Sequence, residues 1–355
     1  MNRGEVRVWL HGHHFSAWLA GVVGLAGIAT LILVINPAKL GLALEHFQLA
    51  LVPAIVAASL CYYVLQGVRW HFLLRDVGAR LPIGETILIN LAAQVTTLLP
   101  LGELTRVALA ARAARIPFSD ALATVTVEEL TYGLLLVVVA VPGFFEFHLS
   151  PAVPAAALLV AVLALAVLTV PQLFHVLHNL MSRILGLRRL LGPLDELQAG
   201  TVSLLHRRDT LGWSVITLVQ VAAMTTVFWL VVTALDPGAL TWPEAASVYA
   251  VASMAGAISF IPGGLGASEA TFAGLMIVVG LPPAQATAVA LMQRVADQGV
   301  ATASGLVAYV IAQRRYQLGK LFSLQPGRAI TAESVAGSPL TTHDSTEQQR
   351  AGPLR

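Results

Sequence analysis

Apolar runs long enough to cross a bilayer recur along this chain, and two of them are interrupted by Pro and Gly at matching places. The first interrupted stretch, LLPLGELTRVALAARAARIPFSDALATVTVEEL, runs from Leu98 to Leu130, and the second, FIPGGLGASEATFAGLMIVVGLPPAQATAVALMQR, from Phe260 to Arg294. Each follows its break within a few residues by a Glu and ends in a second span carrying charge. Non-helical backbone at membrane depth is tolerated only where it is buried in protein or lines a watery cavity. A matched pair of such breaks therefore points to a binding or transport site near the bilayer midplane.

The composition places those runs in lipid: 57% of the 355 residues are hydrophobic and 11% charged, a balance that excludes a soluble domain. About 20 apolar residues are needed to cross roughly 30 Å of hydrocarbon. Phe15–Ile35, Leu49–Val68, Val125–Phe145, Ala152–Val170, Trp213–Leu235 and Ala284–Ala312 read as full crossings. The first is too long for a signal peptide and lacks a small-residue cleavage pattern, so it is expected to stay in the protein. Cys61 is the single cysteine, which excludes an internal disulfide framework and a thiolate metal cage; it is expected to be a packing residue.

Loop charge gives the orientation. Arg3 and Arg7 precede the first span, Arg69, Arg75 and Arg80 follow the second, and Arg183, Arg188, Arg189, Arg207 and Arg208 separate the fourth and fifth. Arg314, Arg315, Lys320 and Arg328 follow the last, whereas Asn36–Gln48, Glu146–Pro151 and Asp236–Glu244 carry one Lys between them. The positive-inside rule puts both termini in the cytoplasm. Glu85–Leu101, flanked on both sides by basic sequence, is then expected to enter from the cytoplasm and return, and Ala245–Gly280 to enter from the opposite face. Aligning Ile116-Pro117 with Leu281-Pro282 matches Ala121 with Ala286 and Glu129 with Arg294, the pattern of an inverted repeat.

The fold class expected is thus an all-α polytopic membrane protein, with about six full spans and two oppositely oriented re-entrant or broken helix pairs. Residues 1–322 form the membrane domain, including a cytoplasmic amphipathic segment at 172–212. Residues 323–355, rich in Ser, Thr, Gly and Pro, are expected to be a disordered cytoplasmic tail.

Glu128, Glu129, Glu269, Arg294 and Asp297 fall inside or at the edge of apolar windows. At a span centre each charge costs about 2.5–3.5 kcal/mol, so together they must face one another or a polar cavity. Glu129 and Arg294, equivalent under the repeat, are positioned for an ion pair across the pseudo-axis. Glu128 and Asp297 would draw on Arg106, Gln94 or Gln293, and a carboxylate deep in a cavity could serve proton coupling. Three glycines in PGGLGASE, Pro262–Glu269, allow positive φ and exposed N–H groups, with Ser268 a candidate N-cap. A half-helix starting there, and another at Pro100-Leu101-Gly102-Glu103 with Arg106 one turn on, would point a positive dipole end inward at a phosphate or carboxylate. His11, His13 and His14 read as a juxtamembrane polar patch rather than a metal site, and Arg69-Trp70-His71 as interface anchors. No HExxH, GxSxG or P-loop occurs, so no metal, cofactor or enzymatic activity is expected.

At LLPLGELTR, VEEL and IPGGLGASEA, followed by QRVADQG, the chain resembles the flippase-like membrane region of the lysylphosphatidylglycerol synthase family, from about Phe15 to Arg315. In the bifunctional members a polytopic core translocates aminoacylated lipid made by a separate soluble domain. This chain's short polar tail leaves no room for that domain, so the resemblance implies a stand-alone translocase, with a separate lipid-modifying enzyme and a second copy of itself as potential partners. It implies binding roles for Pro100, Gly102, Glu103, Arg106, Pro262, Gly263, Gly264, Gly266 and Glu269, beside Ser268, and for Arg294. Where the family pattern has Glu-Arg this chain has Glu128-Glu129, and Ser268 replaces a basic residue. With two positive charges gone, an anionic substrate of the same kind is not implied. The expected partner is a membrane lipid, not a nucleic acid; the alternatives are a secondary transporter for a small polar solute, or an intramembrane enzyme on a lipid carrier using Glu128 or Glu129 as base.

Overall fold

The computed structural model describes residues 47–96, 103–146, 170–182, 191–206, 208–259 and 261–316, with isolated positions at 41–45 and 159–166. The crossing at Phe15–Ile35, the histidines at 11–14, Pro100, Gly102 and the tail at 323–355 lie outside them, as does most of Ala152–Val170. Every regular element among the described residues is helical: α1 (Val52–Asp76), α2 (Ile83–Ala93), α3 (Glu103–Ala114), α4 (Phe118–Glu146), α5 (Pro171–Ser182), α6 (Leu191–Leu205), α7 (Arg208–Leu235), α8 (Trp242–Ile258), α9 (Ala267–Val279), α10 (Pro283–Arg294) and α11 (Val300–Tyr316). Stretches Leu49–Asp76, Phe118–Glu146, Gly212–Leu235 and Pro283–Ala312 are long and apolar enough to cross a membrane. The amphipathic region holds α5 and α6, with the chain between them outside the described residues.

Helix ends fall where the backbone chemistry requires. Pro82 precedes α2, Pro282-Pro283 opens α10, and Thr241 and Glu244 form a reciprocal capping box at the start of α8, each satisfying or avoiding orphan N–H groups. Gly280, at φ 111°, ends α9 in the left-handed region, a conformation that glycine adopts without a Cβ penalty. The two Pro/Gly stretches are where the long apolar elements break. After α2 a short turn at Gln94–Thr96 precedes α3, and after α8 a turn at Pro262–Gly264 precedes α9. Each broken pair is followed through a Pro by a long span, α4 or the run from α10 into α11.

Packing joins these parts at close range. Helix α1 lies antiparallel to α7: the Gln48 N–H donates to the Ala234 carbonyl at 2.8 Å at one end, and the rings of Phe72 and Trp213 stack at 3.7 Å at the other. Helix α4 meets α8 at Gly143, where an added Cβ would stand 1.9 Å from the Pro243 carbonyl oxygen. Gly305 of α11 likewise gives access to the Leu91 carbonyl at the end of α2, 2.7 Å from an added Cβ. The last span is therefore seated on the first break. Cys61, expected to pack inside, is exposed on α1: it shares a face with Leu60 and Val64, also exposed, while Ser59, Tyr63 and Gln66 turn inward.

Candidate functional site

The first broken pair is held by a buried polar network. Arg106 of α3 is 0% exposed and places NH2 3.0 Å from Glu128 Oε2 on α4. Its NH1 donates to Asn90 Oδ1 of α2 at 2.9 Å, and its guanidinium lies 4.9 Å from the centroid of the Trp70 ring. Asn90 Nδ2 donates to the Tyr63 carbonyl and to Gln66 Oε1, which also accepts from Gln94 Nε2 at 3.1 Å. Arg69 NH1 donates to the Glu128 carbonyl, and Trp70 Nε1 to Thr124 Oγ1. A guanidinium can remain charged in such a place because a carboxylate, an amide oxygen and an aromatic face surround it.

The second broken pair repeats the construction with the charges exchanged. Here the short helix supplies the carboxylate: Glu269 of α9 is 1% exposed, and its Oε1 lies 3.2 Å from Arg294 Nε on α10. Its Oε2 accepts the Gly266 N–H at 2.7 Å, and Arg294 NH1 donates to the Gly263 carbonyl at 2.7 Å. Gly263, Gly264 and Gly266 adopt φ of 62°, 63° and 82°, the left-handed region in which a side chain is strained. Gly264 packs against Gly256 of α8, where a Cβ would come 3.0 Å from the Gly256 Cα. Ser268 is not the N-cap: that position falls two residues earlier, at Gly266, and the Ser268 hydroxyl donates to the Gly264 carbonyl at 3.0 Å. The positive end of α9 thus faces an anion of the chain's own, Glu269, at the place where a bound phosphate or carboxylate was expected.

Around the second broken pair, with α4 contributing Glu129, lies a cavity of about 460 Å³, within the roughly 300–1,000 Å³ usual for small-molecule sites. Glu129 enters it from α4, Tyr249 and Ser253 from α8, Glu269 from α9, and Gln293, Arg294 and Asp297 from the last span. Asp297 sits in a wide helical turn, Val295–Gly299, of the π type, which often marks a functional position in a helix. Tyr63 donates its hydroxyl to Asp297 Oδ1, and Ser59 donates to the Ala296 carbonyl at 2.7 Å, so α1 clamps this turn.

The ion pairs expected to link Glu129 with Arg294 across the axis form within each half instead. Arg294 is committed to Glu269, while Glu129 lies 3.9 Å from Arg106 with its side chain 57% exposed. The reason is geometric: the short helix of each pair stands beside its own long span, so Arg106 reaches Glu128 and Glu269 reaches Arg294. Of the candidate residues, Gly263, Gly264, Ser268, Glu269, Arg294, Asp297 and Glu129 line the one cavity. Arg106 and Glu128 sit in the buried network of the first half, and Glu103 opens α3. Arg69 and Trp70, expected at the interface, are both 0% exposed. Missed altogether were Ser59, Gln66 and Asn90; Ser59, Tyr63, Gln66 and Trp70 recur at helical spacing on one face of α1, a polar stripe in an apolar span.

Together these features define a polytopic α-helical membrane protein whose broken helices wall a polar, charged cavity. The chain belongs to the lysylphosphatidylglycerol synthase TM region family, whose model matches residues 18–305. No curated protein matches the chain.

Proposed function

We propose that this protein is a lipid translocase of the cell membrane, passing headgroups through its polar cavity while acyl chains stay in the bilayer. The observation that carries the reading is the cavity itself: Glu129 of α4 meets Glu269, Arg294 and Asp297 in it, among helices apolar enough to span a membrane. Charges at that depth are expensive unless they serve a polar pathway. Membership in a lipid-related membrane family supports the same reading.

In this scheme the two broken pairs are re-entrant from opposite faces and related as an inverted repeat, with both termini cytoplasmic. Arg294 is the cation that meets a lipid phosphate, since Arg106 is enclosed by Glu128, Asn90 and Trp70. The carboxylates of Glu129 and Asp297 hold complementary headgroup donors. The protein acts without catalysis of its own, on lipid that a separate enzyme has made or modified.

Fluorescent lipid in reconstituted vesicles tests this, with bleaching of the outer leaflet reporting movement. Wild type should exceed protein-free vesicles, and Glu269→Ala and Arg294→Ala should each fall toward the empty rate. Transport by both variants equal to wild type would remove the site from the pathway, and a wild type no faster than empty vesicles would refute lipid translocation.

A further inference from the structure

Of the carboxylates lining the cavity, Glu269 is paired with Arg294 and Glu129 lies near Arg106. Asp297 enters no ion pair among the described residues; its hydrogen bond comes from the Tyr63 hydroxyl of α1. That side chain is buried, and its hydroxyl also lies 3.4 Å from the Asp297 backbone carbonyl. A phenol both donates and accepts, so the site serves either state of the carboxyl. Ionised, Asp297 accepts from Tyr63. Protonated, it donates to the phenol oxygen while the phenol hydrogen turns to the carbonyl.

The surroundings leave the charge of the ionised state uncompensated. Helix α1 presents the phenols of Tyr62 and Tyr63, whose rings stand 4.9 Å apart. Helix α4 presents Glu129 and Tyr132, and α8 Tyr249, its hydroxyl 3.4 Å from that of Tyr132. From α9 comes Glu269, and from α10 Arg294, which Glu269 already holds. Helix α7 also packs on the turn that carries Asp297, and its charges are confined to its first two residues, Arg208 and Asp209. A lone carboxylate at membrane depth is costly, and a proton removes its charge. The cavity of about 460 Å³ has room for the water that delivers one.

We infer that Asp297 carries protons across the membrane and that lipid movement is coupled to them as an exchange. The inference rests on the translocase reading and adds its driving force. One carboxylate cannot hold a headgroup donor and a proton together, so each displaces the other. Asp297 takes a proton from water on one side as the headgroup leaves, and returns it to water on the opposite side before the next headgroup binds. Lipid and proton thus travel in opposite directions.

Vesicles in potassium salts, with valinomycin holding the voltage at zero, would contain tail-labelled phosphatidylethanolamine or phosphatidylglycerol and a pH difference of about one unit. Bleaching of the outer leaflet reads the distribution of lipid, and an entrapped pH dye reads proton entry. With wild type, at least one of the two lipids should collect in the leaflet facing the acid side, toward an excess of about tenfold, the limit for one proton per lipid at that difference. A protonophore should return the ratio to one. In Asp297→Asn the ratio should stay at one and protons should enter no faster than in protein-free vesicles. Lipid that moves but distributes evenly in wild type would overturn the inference, as would collection on the alkaline side, a ratio that appears only when a sodium gradient replaces the pH difference, or a tenfold ratio kept by Asp297→Asn. Should that variant not fold, Tyr63→Phe leaves the carboxyl without its phenol and should displace the pH midpoint of proton entry; an unmoved midpoint would overturn the assignment to Asp297. Proton entry above protein-free and Asp297→Asn vesicles, with no lipid movement, would keep the carrier and sink translocation. Even lipid movement without proton entry would do the reverse.

Discussion

Removing the Glu128 carboxylate should unfold the first half of the site more readily than any change at its neighbour Glu129. In Glu128→Ala the Arg106 guanidinium keeps Asn90 Oδ1 at 2.9 Å and the Trp70 ring, but loses the buried carboxylate 3.0 Å away. Arg69, also 0% exposed, retains only the Glu128 backbone carbonyl as a hydrogen-bond acceptor among the described residues. Two buried cations then share an interior from which the nearest buried anion has gone. Stranding one partner of a buried pair costs about 3–5 kcal/mol, equivalent to about 6–10 °C in Tm at about 2 °C per kcal/mol for a large domain. Glu129→Gln removes a carboxylate 3.9 Å from Arg106 whose side chain is 57% exposed, and exposed pairs are worth about 0–1 kcal/mol. Thermal unfolding of purified protein in detergent, followed by tryptophan fluorescence, compares the two directly. The double variant Arg106→Met, Glu128→Leu should lose less than the two single variants added together, because the cost lies in stranding a charge rather than in losing an attraction. Equal Tm values for Glu128→Ala and Glu129→Gln would refute the reasoning, as would additive losses in the double variant.

Gly143→Ala should prevent α4 and α8 from closing, because its Cβ would overlap the Pro243 carbonyl at 1.9 Å; overpacking costs typically about 1–3 kcal/mol and here exceeds it, visible as loss of the monodisperse peak on size-exclusion chromatography. Gly264→Ala combines φ of 63° with a 3.0 Å approach to the Gly256 backbone, a strain of about 1–2 kcal/mol from the left-handed conformation alone, and should lower both Tm and vesicle transport. Tyr63→Phe deletes the hydroxyl that holds Asp297; stability should fall by about 1 kcal/mol, and transport should fall further than that of a Tyr309→Phe control outside the clamp.

The breaks, four of the long spans and the charged cavity residues were legible because each leaves a local mark in the chain. A Pro-Gly cluster in an apolar run can hardly continue a helix, and a charge in such a run can hardly face lipid. Gly263, Gly264, Glu269, Arg294 and Asp297 were found on those grounds and share one cavity. What stayed hidden depends on three-dimensional neighbours. Asn90 gave no sign that it would bridge Gln66 and Arg106, and Arg69-Trp70, near a helix end, is indistinguishable in sequence from an interface anchor until α4 covers it. The pairing error at Glu129 and Arg294 has the most to teach. Alignment of the two broken stretches paired these residues in sequence, but a pairing in sequence does not place two side chains in contact. Arg106 takes the buried Glu128 at 3.0 Å and leaves Glu129 more exposed at 3.9 Å, while Arg294 takes Glu269 at 3.2 Å. Pairing of this kind lets each half neutralise itself, so the interface between the halves need not be held shut by a buried ion pair. Under the proposed translocation the cavity opens to either side of the membrane in turn, and halves neutralised separately can shift relative to one another without stranding a charge.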